Sequence, residues 1–138
     1  MSTTADLVEA PAVAQKLIRW LESGTAPDGL FADDVFADVL FPHWRLQAGN
    51  VTDALAIRST EHPYPGEVRV ERLEPTSRGF ALEVEERWQH EGQSWCAHEA
   101  FRADLVDGRI QELKIYCTGD WDEEAVRRHA EQVTLIRP

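Results

Sequence analysis

Proton transfer needs an acid and a base held close together, and two stretches of this 138-residue chain each offer one carboxyl on an otherwise apolar face. Residues 80–90 alternate with period two, so that Phe80, Leu82, Val84, Glu86, Trp88 and His90 share a face, while Glu83, Glu85, Arg87 and Gln89 take the solvated side. Residues 94–105 alternate in the same way, with Trp95, Ala97, Glu99, Phe101, Ala103 and Leu105 on one face. A tight turn at Gly92-Gln93, the Gly-X arrangement of a two-residue hairpin, sets Val84 opposite Phe101, Trp88 opposite Ala97 and Glu86 opposite Glu99. Two carboxyls then lie with β-carbons about 5 Å apart on an aromatic and aliphatic face. A slip of one residue would turn Leu and Phe outward, so the facing is set by the pattern. Burial and a second carboxylate both favour the neutral acid, which is the arrangement in which one group donates a proton while its neighbour accepts one. A competing reading places one or both glutamates at a solvated mouth, or in an ion pair with an arginine such as Arg45 or Arg58.

The following strand, residues 110–118, is joined through Asp107-Gly108. A two-residue Asp-Gly turn would bring Glu112, Lys114 and Tyr116 inward; a three-residue loop over residues 106–108, preferred because it leaves the charges outside, sets Leu105 opposite Arg109, puts Ile115 beside Glu99, and turns Leu113, Ile115 and Cys117 inward. It leaves Cys96, Ala100, Ile110 and Tyr116 on the outer face, a surface suited to a homodimer. Cys96 and Cys117 fall on opposite faces and no disulfide joins them; Cys117 reads as a small inward residue. Trp88, next to Glu86, is the aromatic residue best placed to touch a ligand, and Tyr64 in His62-Pro63-Tyr64-Pro65-Gly66 is within reach of the same hollow.

Lys plus Arg number 14 against 25 Asp plus Glu, a net charge of −11 that disfavours nucleic acid and anionic membrane as partners. An apolar fraction of 43% is enough for a core. No apolar run approaches the roughly 20 residues that span a bilayer, and residues 1–9 show no leader pattern. Two cysteines without metal-ligand spacing, and the absence of Gly-rich phosphate loops, G-x-S-x-G and H-E-x-x-H, point to a reduced, cytoplasmic protein with neither metal nor cofactor.

The elements that must position these residues run in a simple order. Residues 7–22 carry Leu7, Val8, Val13, Leu17, Trp20 and Leu21 at helical spacing, ended by Gly24. Residues 30–34 read as one helical turn, 35–41 as a strand ended by Pro42, 43–50 as a loop, and 53–59 as a helix capped by Asn50 or Thr52. Residues 68–73, 80–90, 94–105 and 110–118 form a four-stranded antiparallel meander, and residues 122–132 a polar terminal helix. This is a single α+β domain over 1–138, whose curved sheet buries one face against N-terminal helices and leaves a half-open cone with a pocket.

Leu30-Phe31-Ala32-Asp33-Asp34-Val35 resembles the "L-Y-A-D-D-V" of the nuclear transport factor two-like superfamily, and Val106-Asp107-Gly108-Arg109-Ile110 fits its last hairpin. That cystatin-like cone is shared by SnoaL-like polyketide cyclases, ketosteroid isomerase and limonene epoxide hydrolase. The resemblance implies that Glu99 takes the place of the isomerase's oxyanion-hole acid, with Leu17 where its hydrogen-bonding tyrosine stands and Val39 where its general base stands. It places Pro42-His43-Trp44-Arg45 in a loop over the cone mouth, with His43 an auxiliary acid or base and Trp44 a lid. The "W-R-D-Y-F-D" of hydrolases and cyclases reads here Leu113-Lys114-Ile115-Tyr116-Cys117-Thr118, without either acid.

The expectation is therefore a cofactor-independent acid/base enzyme (isomerase, cyclase, dehydratase or epoxide hydrolase) for a small, mainly apolar molecule. Glu86, Glu99 and His43 are its catalytic candidates, and Trp44, Trp88, Phe101, Leu17, Ile115, Cys117 and Tyr64 its binding candidates. The alternative is a non-catalytic module of the same fold that binds a ligand or dimerises.

Overall fold

The computed structural model describes residues 4–137. The leader-free reading of residues 1–9 lies partly outside them, as does the side chain of Leu7. Helix α1 (Thr4–Ser23) is amphipathic, and Ala10, Val13, Ala14, Leu17, Ile18 and Leu21 bury one stripe at three- and four-residue spacing. Gly24 ends it in the left-handed conformation (φ 78°), its N–H donating to Trp20 O at 2.8 Å.

Six strands follow: β1 (Phe31–Phe41), β2 (Trp44–Ala48), β3 (Glu67–Pro75), β4 (Gly79–His90), β5 (Gln93–Val106) and β6 (Arg109–Cys117). Helix α2 (Val51–Glu61) lies between β2 and β3, and α3 (Glu123–Gln132) closes the chain. The strands form one open mixed sheet in the order β2-β1-β6-β5-β4-β3, antiparallel throughout except for β1 against β6. Its concave face carries Val35, Leu82, Val84, Ala103, Leu105, Ile110 and Leu113, all sealed from water, and α1 lies across it. The α+β cone is as the period-two pattern requires. Among the described residues no helix is long and apolar enough to cross a membrane.

Two segments near the start differ from expectation. Residues 30–34 are not a helical turn: Phe31 opens β1 and pairs in parallel with Ile110, with a bulge before Phe36. The extra residues in that bulge break the period-two pattern, and pairing with a strand some 80 residues away overrides the local signal. Residues 43–50 are not a loop, because β2 folds back on β1 through Pro42-His43. Pro at the first central position and a positive φ (61°) at His43 match a type II turn.

Both later hairpins turn on type I′ dipeptides, Glu91-Gly92 (φ 53° and 75°) and Asp107-Gly108 (φ 54° and 71°). The first moves the β4–β5 register two residues from the expected one. Glu86 faces Ala97, Glu99 faces Val84, Trp88 faces Trp95 and Leu82 faces Phe101. A shift of two preserves every facing while separating the two glutamates. In the second hairpin Val106 pairs with Arg109, and Gln111 is an extra residue between the Leu105–Ile110 and Asp104–Glu112 pairs. This bulge restores the inward facing of Leu113, Ile115 and Cys117 that the two-residue turn would otherwise reverse. Ile110 is thereby fully buried rather than on the outer face, and Glu99 lies opposite Cys117 instead of Ile115.

Gly79 is held by close approach rather than by a turn. A Cβ there would stand 2.1 Å from the Ala103 carbonyl oxygen, which is backbone and cannot move aside. Gly79→Ala should lower the urea midpoint by the equivalent of about 1–3 kcal/mol with an unchanged m-value; an unaltered midpoint would show that the two strands part there freely.

Candidate functional site

Between the end of α1, α2 and strands β1, β5 and β6 lies a cavity of about 260 Å³. Its apolar wall comes from Trp20 of α1, Val39 and Phe41 of β1, Ile57 of α2, and Leu113 and Ile115 of β6. Val39 and Ile115 face inward because β1 and β6 run side by side in register at that pair. Trp44, 65% exposed at the start of β2, stands at the edge. Polar groups gather where α2 and β6 end and beside the middle of β5: Arg58, Glu61 and His62, then Cys117 and Asp120, with Glu99 from β5.

Helix α2 is fixed by its caps. Asn50 Oδ1 accepts from the Asp53 N–H at 2.8 Å, and the His62 N–H donates to Arg58 O at 2.8 Å. Its last turn thus aims Arg58 at β4. There the guanidinium grips Glu86 with two bonds, Nη1 to Oε2 at 2.9 Å and Nη2 to Oε1 at 2.6 Å, and Nη2 also donates to Leu21 O at 2.8 Å. The side chains are 11% and 4% exposed. Arg58 Cζ sits 5.8 Å from the Trp20 ring centroid, and its Nε is sealed in protein with no hydrogen-bond acceptor among the described residues. Glu86 therefore meets a guanidinium in place of a second carboxyl. Both of its oxygens are occupied, which removes it as a free proton acceptor.

His62 stands 4.0 Å from Glu86 Oε1 and packs its ring edge-to-face on Trp88, with centroids 4.4 Å apart. Burial, and then the Arg58 charge, push its imidazole down to about 4, so the ring is neutral near pH 7. The Glu99 side chain makes no hydrogen bond and no ion pair among the described residues, although it is partly buried and reaches the cavity. Asp120 is exposed at the cavity rim, and its side chain is unpartnered among the described residues. Partial desolvation and the Glu86 and Glu61 charges raise its carboxyl above the ordinary range, with Arg58 opposing. Cys117 Sγ accepts from the Gly119 N–H at 3.3 Å, and burial pushes the thiol up, away from the nucleophilic thiolate.

Of the residues picked from the sequence, Glu99, Trp44, Ile115 and Cys117 border the cavity. Glu86 lies behind Arg58. Leu17 and Phe101 are buried in the core and do not reach the cavity surface. Trp88 is buried too, against His62, and borders an outer groove with Trp95 and α3. Tyr64 is turned to His90, with ring centroids 4.2 Å apart and its hydroxyl 3.3 Å from Nε2. His43 is exposed at the β1–β2 turn and does not line the cavity. Arg45, the other arginine considered as a partner, grips Asp38 on the opposite sheet face, where Arg45 and Lys114 hold the Asp38 carboxyl well below the carboxylate range. Cys96 and Cys117 are both free. Asp120 and His62 are not among the residues picked from the sequence. The available signal was their place, one at the end of an inward-facing strand and the other at the end of a helix.

The sequence matches no protein-family model and no curated protein. Solved structures do resemble it. An NTF2-like protein from Anabaena variabilis superposes with a TM-score of 0.69 at 12% identity, covering 87% of this chain and 96% of its own. This chain has the nuclear transport factor two-like fold. An LEH-like epoxide hydrolase from M. tuberculosis shares that fold (TM-score 0.62, 15% identity, 80% and 83% covered), as does a candidate ketosteroid isomerase from Kribbella flavida (0.56, 19%, 96% and 93%). At these identities the likeness is one of fold. The catalytic sets of such proteins are not carried over with it.

Proposed function

We propose that this nuclear transport factor two-like chain, a single domain, is a cofactor-independent acid/base enzyme for a small, mainly apolar molecule. The reaction would be an isomerisation, cyclisation, dehydration or epoxide opening. The observation that carries this reading is Glu99, an unpartnered carboxyl that reaches an apolar-walled cavity of about 260 Å³. Such a cavity supplies a substrate with apolar contact and a dry setting, in which one carboxyl transfers a proton far more effectively than in water. Ile115 and Cys117 flank Glu99 and Trp44 caps the edge. Glu86 serves as the anchor of Arg58, and exposed His43 has no part in the chemistry.

Two probes test this: α-hydrogen exchange of 2-tetralone in D2O, followed by proton NMR, and opening of styrene oxide. Turnover of at least one is expected, with Glu99→Gln slowing it by about 10²–10⁴-fold. A variant that keeps its full rate, or a wild-type protein that turns over neither, would remove the catalytic reading. The Arg58–Glu86 pair favours a second reading, a ligand-binding module, because it replaces the expected pair of acids with a neutralised one. Binding of both probes without turnover would establish that one. Exposed Phe36 and Tyr116 on the outer face support a homodimer, and the two free thiols agree with a reducing, cytoplasmic setting. Sedimentation at monomer mass across micromolar concentrations would exclude the dimer.

A further inference from the structure

We infer that Asp120 is the proton donor of this cavity and works with Glu99 as the acceptor, in the place that sequence alone gave to Glu86. The inference rests on the acid/base reading above and assigns its second group. Asp120 and Glu99 border the same cavity, Glu99 from β5 and Asp120 from the corner after β6. Glu99 lies opposite Cys117 across β5 and β6, and Asp120 follows Cys117 by three residues as the chain leaves β6. Neither carboxyl has a hydrogen bond or ion pair among the described residues, whereas Glu86 has both oxygens on Arg58.

The corner that carries Asp120 is fixed on both sides, as a preorganised donor requires. Before it, Thr118 N–H donates to His98 O at 3.0 Å. Gly119 (φ 85°) packs so closely on Pro42 that an added Cβ would stand 3.0 Å from Pro42 Cγ. After it, Trp121 exchanges two backbone bonds with Cys96, at 2.8 and 3.0 Å, and the Asp122 side chain accepts from the Ala125 N–H to start α3.

The groups around Asp120 are Arg58, Glu61 and His62 from α2, Glu86 from β4, Glu99 from β5 and Cys117 from β6. Arg58 is offset by Glu86 and His62 is neutral, so no uncompensated cation is present to hold Asp120 ionised. Partial desolvation at the rim and the Glu86 and Glu61 charges raise the Asp120 carboxyl, so it holds its proton to a higher pH than an ordinary aspartic acid.

In the step itself, Glu99 carboxylate takes a proton from a substrate carbon or from an attacking water. The electron pair released moves to a substrate oxygen, of a carbonyl, a leaving hydroxyl or an epoxide, and the Asp120 carboxyl gives its proton to that oxygen. The cycle ends with Glu99 protonated and Asp120 ionised. A proton returned from Glu99 to Asp120, through product or water, resets the pair with no external reactant.

The test is kcat/KM against pH for 2-tetralone exchange and styrene oxide opening, in wild type, Asp120→Asn and Asp120→Glu. Wild type should lose rate on the alkaline side as Asp120 ionises. Asp120→Asn should be about 100-fold slower and lack that limb, and Asp120→Glu should keep the limb with part of the rate. Thermal melts matching wild type keep a folding defect from being read as a chemical one. An Asp120→Asn protein within a few-fold of wild type, with the alkaline limb intact, would overturn the role of Asp120 and leave the Glu99 reading standing. Wild-type protein that turns over neither probe would overturn both.

Discussion

Arg58→Met should destabilise the protein by about 3–5 kcal/mol, read as a fall in urea midpoint at neutral pH. The reason is what it leaves behind. Glu86, 4% exposed on the concave face between Val84 and Trp88, would keep its charge with no cation to meet it. The nearest remaining partner, His62, is neutral and 4.0 Å away. Small domains have total stabilities of about 5–15 kcal/mol, so this one change removes a large share. The double variant Arg58→Met/Glu86→Leu should recover most of the loss, because it removes both desolvation costs and fills the space with apolar side chains. Arg58→Met within about 1 kcal/mol of wild type would mean that Glu86 finds water when its partner is gone. The pair would then be a wet one at the cavity edge.

This pair also marks where sequence reading reaches its limit. The facing of β4 and β5 follows from period two alone, so the inward places of Leu82, Val84 and Phe101 are legible in the sequence. Register does not follow from period two, because shifts of two residues cost the pattern nothing. It hangs on whether Gly92 takes the first or the second central position of its turn. The protein puts Glu91 at φ 53°, a conformation that a glutamate adopts only under tertiary constraint, and the two acids move apart. The bulge at Gln111 is of the same kind, being fixed by two hydrogen bonds to Asp34, 77 residues earlier. Arg58 meets Glu86 across 28 residues because α2 is laid over the cone, and no local spacing announces such a contact. The family resemblance carried the overall architecture, but β2 escaped both it and the local signal, since each put residues 43–45 in a loop. The resemblance could not carry the site, because Leu17 and Val39 stand where polar groups were expected and Asp120 stands where none was.

The acid sensitivity of the fold should be traceable to His62. In the folded protein its imidazole titrates at about 4, against about 6.5 when unfolded, so above pH 6.5 neither state binds the proton and His62 contributes nothing to pH dependence. Between pH 6.5 and about 4 the unfolded chain binds a proton that the folded one refuses, and stability falls as pH falls. Below about 4 both states are protonated and this slope ends. The full shift corresponds to about 3 kcal/mol, and the residual water contact of the ring brings the expected loss to about 2 kcal/mol. Other groups act elsewhere or in the opposite sense. Asp38 and Glu85, both held down by arginines, lose their contribution only below about pH 4. Asp120, raised by partial desolvation and the Glu86 and Glu61 charges, adds stability as it takes its proton. Comparison with His62→Phe, which keeps a ring against Trp88 without a titrating nitrogen, isolates the histidine. Urea midpoints from pH 7.5 to 4 should show the wild type losing about 2 kcal/mol relative to the variant, all of it below pH 6.5. Parallel curves for the two proteins would show that the imidazole is free to protonate in the folded state, and the hollow behind Arg58 would then have to be open to water.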